Sequence, residues 1–243
     1  MSGTIAAATE LGMRGDIEQL RIISHNLANV STVAYKRQIG VAQPFDMMLS
    51  EKGSTAATAA RSFVGVTEST DRSAGTLTHT GNALDLAIEG DAFFVVDTGA
   101  HEVYTRQGTL RLDSDGTLVN VRGQALETLS GPVQLTSAVP AIDAQGNIRD
   151  NGTVVGQLKL VTVSNPQSLV PLGNGTYAAT DSTVSEPADA ARVRQGYTEQ
   201  SNVVTMHEMI NLIETMRHFE TSQKFLQGYD GMLQRALADL GSY

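Results

Sequence analysis

The sequence predicts an α+β fold in which long helices at the two ends bracket a central antiparallel all-β domain. Three patterns carry that prediction. Between Met209 and Leu240 apolar side chains recur at alternating spacings of three and four, as on a helix with one apolar seam. A shorter run of the same kind opens the chain. Between the two lie short apolar runs bounded by Gly, Pro, Asn and Asp, the texture of strands and tight turns.

The first helix is expected from about Thr4 to Ala28, inside an N-terminal segment 1–30. Met13, Ile17, Leu20 and Leu27 form its seam with Ser24 as the polar member, and Asn26, Asn29 and Ser31 mark its fraying end. A connector follows over 31–75. Its stretch SEKGSTAATAA (50–60) has too little apolar surface to offset the entropy of ordering it. The β domain is expected over 76–183. Leu84 to Ile88 and Ala92 to Val96 read as a hairpin-like pair around Glu89-Gly90-Asp91. Val103 to Thr105 and Leu110 to Leu112 come next, and the Asp115-Gly116 turn leads into Leu118 to Val121. Further runs lie at Val133 to Leu135, Gly156 to Val163 and Thr176 to Ala179. No helix long enough for a βαβ crossover interrupts them, which indicates a sandwich-like or barrel-like domain. The return, 184–200, overlaps a small, polar, acidic stretch (Asp181 to Ala191), and the C-terminal helix occupies 201–243. One row of its seam is Leu212, Phe219, Leu226, Leu233 and Leu240. The other is Met209, Met216, Gln223, Asp230 and Leu237, with two polar residues where a coiled coil favours apolar ones. Seams at both termini point to assembly before catalysis.

Composition bounds the function. The 243 residues are 41% hydrophobic, enough for a core. Lys and Arg total 17 against 26 Asp and Glu, and a net charge of -9 argues against a nucleic-acid partner. With no cysteine, disulfides and thiolate metal sites are excluded. The first residues lack the basic start and cleavage site of a secretory signal, and no stretch approaches the roughly 20 apolar residues of a membrane span. No membrane insertion is expected, and an extracytoplasmic role requires export without a cleaved signal peptide.

Motifs for chemistry fail one by one, so no catalytic residue, metal ligand or cofactor is expected. His207-Glu208 starts like a zinc-protease helix, but Asn211 stands where the second imidazole belongs, leaving a surface His-Glu pair. Asp113 and Asp115 lack the remaining ligands of a calcium loop, with Gln124 at its last position. Gly173-Asn-Gly175 is too short for a phosphate loop and precedes a strand. The five histidines show no pairing with a Ser nucleophile. A rival class, an extracellular β-domain hydrolase or carbohydrate-binding module, would need Asp85, Glu89, Asp91, Asp113 and Asp115 to converge. These acids fall mostly at expected turns. An export chaperone is disfavoured by the large β region.

Several segments carry a family resemblance. Asn26, Leu27, Ala28, Asn29, Tyr35 and Lys36, in SHNLANVSTVAYK, resemble the ANNLANxxTxGFK signature of the flagellar rod and hook family. Gly81, Leu84, Asp85, Ala87, Ile88, Gly90, Phe93 and Phe94 resemble its GxxLDxAIxGxGFF motif. Tyr104, Thr105, Arg106 and Gly108 are similar to its YTRxG, and Glu199, Ser201, Asn202 and Val203 to its GxxExSNV; Arg217 and Glu220 continue as RxxE. The matches run in order through nearly the whole chain. The sequence departs at Ala34 and Ala92, where the family has Gly; positive φ there costs alanine about 1 kcal/mol.

The resemblance implies a structural subunit of the bacterial flagellar basal-body rod. Its terminal helices form an axial coiled-coil layer with neighbouring subunits, and its β domain lies outside that layer. Asn26 and Asn29 are then expected to cap and turn the first helix, with Gln223 and Asp230 specifying register. Implied partners are other rod subunits, proximal and distal, and the flagellar type III export apparatus. The implied location is the rod in the periplasmic space. The short central region resembles a proximal rod member most and a distal one next.

Overall fold

A computed structural model describes residues 2–42, 66–99, 101–165, 168–173, 175–179, 185–188 and 191–240. The expected 50–60 linker lies outside them. The chain divides into two compact units, each built from separate stretches of sequence.

The helical unit comprises Met1–Ala28, Gln38–Asp71 and Val203–Tyr243. Helix α1 spans Ser2–Ala28 and helix α2 spans Thr205–Leu240. They run antiparallel: Asn26 meets Glu208 near one end, and Asp16 meets His218 further along. Strands β1 (Gln38–Ala42) and β2 (Val66–Thr70) pair antiparallel from Gln38 opposite Thr70 to Ala42 opposite Val66. Among the described residues no helix is long and apolar enough to cross a membrane.

The β unit comprises Asn29–Arg37 and Arg72–Asn202. Its strands in chain order are β3 (Leu77–His79), β4 (Leu86–Glu89), β5 (Ala92–Asp97), β6 (Glu102–Thr105), β7 (Leu110–Leu112) and β8 (Leu118–Asn120). Then come β9 (Ala125–Leu126), β10 (Ala141–Ile142), β11 (Asn147–Asp150), β12 (Thr153–Gln157), β13 (Leu160–Val163) and β14 (Val170–Gly173). The last are β15 (Thr176–Ala178), β16 (Ser185–Pro187), β17 (Arg192–Gln195) and β18 (Tyr197–Glu199). The main sheet runs β14-β15-β6-β5-β9-β8-β7, with β13 bonded to both β5 and β16. All recorded pairs are antiparallel, as expected.

Strand β5 is the organising element. Successive side chains of a strand point to opposite faces. Ala92, Phe94 and Val96 enter one buried cluster with Leu86, Leu118 and Ile148, while Phe93 and Val95 enter a second with Tyr104, Val161 and Tyr177. A strand covered on both faces needs an unbroken apolar run, which AFFVV supplies.

Three expectations are corrected here. The runs around Glu89-Gly90-Asp91 do not pair with each other. β4 instead bonds β17, Leu86 opposite Gln195, and β5 bonds β6, β9 and β13. Gly90 has φ 106, so the chain turns there, yet the partner of β4 comes from a distant return strand that local pattern does not reveal. The run 156–163 breaks into β12 and β13, because Leu158 is buried and bridges Thr128 while Lys159 donates its N–H to Glu127. Val133 to Leu135 forms only a single bridge through Gln134 to Thr117, although Val133 and Leu135 are buried. In addition, β16 pairs with β13 inside the expected return connector. The Asp113 to Gly116 turn joins β7 and β8 as expected, with Gly116 at φ 76.

Candidate assembly surfaces and their anchors

In the helical unit the N-terminal motif makes a crosslink. Asn26 is fully buried; its Nδ2 donates to the Gln38 carbonyl (2.8 Å) and to Glu208 Oε2 (3.2 Å), and its Oδ1 accepts the Gln38 N–H (2.8 Å). One amide therefore fixes α1, β1 and the first turn of α2. This corrects the expected capping role: Asn26 lies inside α1, and only Asn29 sits at the turn, its carbonyl accepting the Thr32 N–H (3.0 Å). It also corrects the reading of His207-Glu208 as a surface pair, since His207 is exposed but Glu208 is 1% exposed. Glu208 lies in the first turn of α2, where the helix dipole favours a carboxylate.

Leu212, Phe219 and Leu226 are half-buried, as one row of a helix seam should be. The row that accompanies them is Glu208, Thr215, Ser222 and Tyr229, one residue ahead of the row read from the sequence. Met209, Met216, Gln223 and Asp230 are exposed. Leu233, Leu237 and Leu240 continue α2. On α1, Met13, Leu20 and Leu27 are half-buried and Ile17 is exposed, whereas Ile22 and Ile23, outside the predicted seam, are buried. The start of α2 carries a second apolar stripe. Met206, Met209, Ile210, Ile213 and Met216 are each about half or more exposed, and their spacing puts them on the side of α2 opposite Glu208, Thr215 and Phe219. Further along that side Arg217, Glu220 and Lys224 are charged and exposed.

In the β unit three motif segments converge on Glu199. Its Oε1 accepts from Lys36 Nζ (2.6 Å) and the Gly75 N–H (2.8 Å), and its Oε2 from Arg106 Nη1 (3.3 Å). Lys36, Arg106 and Glu199 are all at most 5% exposed, so the pairing occurs away from water, where loss of one partner leaves an uncompensated buried charge. Arg106 also donates to the Gly90 carbonyl and lies over the Phe93 ring (5.4 Å). The Glu199 carbonyl accepts the Ala34 N–H (2.8 Å), and Asn202 Oδ1 accepts that of Arg37 (2.7 Å).

The other motif residues build the same unit. Asp85 is buried; its Oδ2 accepts from Thr80 (2.7 Å) and its carbonyl from Gly196 N–H (2.7 Å). Gly81 and Gly90 have positive φ, while Leu84, Ala87, Ile88, Phe94 and Tyr104 lie in or against the cores. Thr105 Oγ1 donates to the Gly175 carbonyl (2.8 Å). Gly108 leaves no room for a side chain: a Cβ there would sit 1.8 Å from the Leu86 carbonyl oxygen. Tyr35 and Ser201 are half-buried, Ala28 is exposed, and Val203, in the helical unit, is buried. Burial pushes the Tyr177 phenol above its ordinary range.

The acids of the rival reading are either engaged locally or exposed. Glu89 pairs with Arg194 (2.7 Å), Asp113 accepts from the Ser114 N–H, and Asp91 and Asp115 are exposed. Among the described residues no three His, Cys, Asp or Glu side chains gather as a metal site. The sequence marked Lys36, Arg106 and Glu199 but not their convergence, and it gave no sign of the Asn26 to Glu208 bond. Polar residues far apart in sequence carry no periodicity to link them.

Comparison with known proteins adds the family. The family described as flagellar basal body rod FlgEFG protein C-terminal matches residues 194–239, and that described as flagellar hook protein FlgE/F/G D1 domain matches 87–156. The chain is 33% identical over 229 residues to the flagellar basal-body rod protein FlgF of Mesorhizobium japonicum, covering 92% of each chain. It is 31% identical over 255 residues to the flagellar basal-body rod protein FlgG of Bacillus subtilis, covering 92% of this chain and 94% of that one. FlgF of Rhizobium meliloti is 31% identical over 230 residues, again covering 92% of each.

Proposed function

The chain belongs to the flagellar basal-body rod protein family, and we propose that it polymerises through its terminal helices into part of the rod, the drive shaft and export channel of the bacterial flagellum. The observation that carries this reading is the end-to-end match to rod proteins, 92% of both chains, combined with motif residues that are internal anchors and not an open reactive site. Its partners are other rod subunits and the type III export apparatus, and its place is the periplasmic rod. The alignment to the FlgG of Bacillus subtilis needs 255 positions for the same share of this chain that the FlgF of Mesorhizobium japonicum matches in 229. That supports the FlgF-type, proximal rod position over the FlgG-type, distal one, since this chain lacks residues that the FlgG relative has.

The apolar stripe Met206, Met209, Ile210, Ile213 and Met216 is the surface we assign to contact with a neighbouring subunit. An exposed apolar strip on a soluble protein commonly marks an interaction face. Met209→Asp is expected to leave the circular dichroism spectrum and secretion unchanged while abolishing incorporation into basal bodies; normal motility would overturn the assignment. For the function itself, the gene is deleted and purified basal bodies are imaged. Rods truncated near their base, restored by the wild-type gene, are the expected result. Intact rods and full motility in the deletion strain would overturn it.

A further inference from the structure

The two units are joined by four passages of the chain, at 28/29, 37/38, 71/72 and 202/203. On the β-unit side, three of these passages meet at one point. Arg37 closes the first of them, and its N–H donates to Asn202 Oδ1 (2.7 Å), the residue that closes the last. Asn202 Nδ2 in turn donates to the Ser73 carbonyl (3.2 Å) and hydroxyl (3.0 Å), just inside the remaining one. Lys36 Nζ donates both to the Ser73 carbonyl (2.7 Å) and to Glu199 (2.6 Å). Glu199 also accepts the Gly75 N–H, and Arg106 ties it to the wall of the β domain through Gly90 and Phe93.

We infer that Glu199, Lys36 and Asn202 bind the 29–37, 72–75 and 199–202 segments into a single mechanical node, so that force entering the β unit along one segment is shared by all three. The inference rests on the rod-subunit reading, because a drive-shaft subunit is the setting in which such sharing matters. Its physical basis is that the charge-assisted bonds at the buried Glu199 carboxylate and the neutral bonds of Asn202 are linked through the Ser73 carbonyl, which accepts from both Lys36 and Asn202. Such bonds do not yield singly: releasing one donor leaves Glu199 buried with its charge less well paired, which weakens the hold on the others. A sheet edge under the same load would open one backbone bond at a time. The design also explains why Lys36 and Glu199, 163 positions apart, both belong to motif segments at the ends of the β unit.

The test uses the full chain and amide hydrogen exchange. Lys36→Met keeps a long unbranched side chain but removes the ammonium group. Asn202→Ala reaches the same node without touching a buried charge. For each, the amides of Ala34, Arg37 and Gly75 are expected to exchange faster together, by about ten-fold or more, with the core amides of Val96 and Val119 unchanged, as for one sub-global opening. Acceleration confined to the amide whose acceptor was altered, or spread equally over the core, would overturn the node. If Lys36→Met does not fold, Asn202→Ala decides by the same criteria. In cells, Asn202→Ala should complement a deletion strain in dilute medium yet lose swimming, with broken rods, in viscous medium. Wild-type swimming under viscous load would sink the node and leave the rod reading intact, whereas failure of the wild-type gene to complement would sink the rod reading itself.

Discussion

At Ala34 the backbone has φ 58, a left-handed conformation that the Cβ of alanine resists, and the residue is buried with its N–H bonded to Glu199. The strain is about 1–2 kcal/mol, against which glycine gives back part through its freer unfolded chain. Ala34→Gly is therefore expected to raise stability by about 0.5–1 kcal/mol, read as a higher urea midpoint with an unchanged slope. The reverse case is Gly108, whose place is set by crowding: a methyl there would overlap the Leu86 carbonyl and press on Phe94. Gly108→Ala should cost more than about 3 kcal/mol, or prevent folding, measured in the same titration. Sequence pattern flagged Ala34 and Ala92 alike as replacing glycine, and only one of them is strained. Ala92 lies in β5 without a positive φ. The sign of a dihedral is decided by what the next segment bonds to, and that is not written in the neighbouring residues.

Helix existence was legible because it repeats: the row of Leu212, Phe219 and Leu226 shows through as an apolar period and lands on the half-buried side of α2. The row that packs beside it within the chain is not the one the apolar period shows, for a physical reason. Glu208, Thr215, Ser222 and Tyr229 are polar or small where they pack, whereas Met209 and Met216 are apolar where they are exposed, so hydropathy marks the exposed row proposed for subunit contact and not the packed one. The β runs were legible for the same reason as the helices, and their pairing was not, because β4 finds its partner over a hundred residues later in β17. At this scale Asn26 is the informative change. Asn26→Ala strands the Gln38 N–H and carbonyl and removes a donor from Glu208 in one step, and should cost about 2–3 kcal/mol. Asn26→Asp keeps an acceptor for Gln38 but sets a second carboxylate against Glu208, so it is not expected to rescue. Denaturation midpoints of the two variants, compared with helix content by circular dichroism, check both statements.

For the molecule as a whole, acidity is the condition that tests how its carboxylates are used. With 26 acidic residues against 17 Lys and Arg, the net charge of -9 falls to zero near pH 5 and turns positive below it, so the acid response combines that growing repulsion with the loss of carboxylates that fold into donors. Asp150 is such a group: Thr136 gives it a side-chain hydroxyl (2.6 Å) and a backbone N–H (2.8 Å), Ser137 adds another N–H, and these bonds hold its carboxyl below the ordinary range. Asp143 is lowered in the same direction, first by the Asn147 side-chain amide and then by backbone N–H groups and Arg149. A carboxyl that is more acidic folded than unfolded binds fewer protons in the native state. Its contribution is present above the unfolded value of about 4 and is lost as pH falls through the lower folded value. The urea midpoint is therefore expected to hold steady from pH 7 to about 5 and to fall below about 4. Asp150→Asn is less stable at pH 7, because a neutral amide accepts these three donors less well, and its midpoint falls less on acidification because one of the linked protons is gone. Parallel acid slopes for wild type and variant would show that the bonds from Thr136 and Ser137 do not carry the pH dependence. A flattened slope would locate part of the acid sensitivity in the clip between the 136–137 turn and β11, far in sequence from the helices through which the subunit is proposed to assemble.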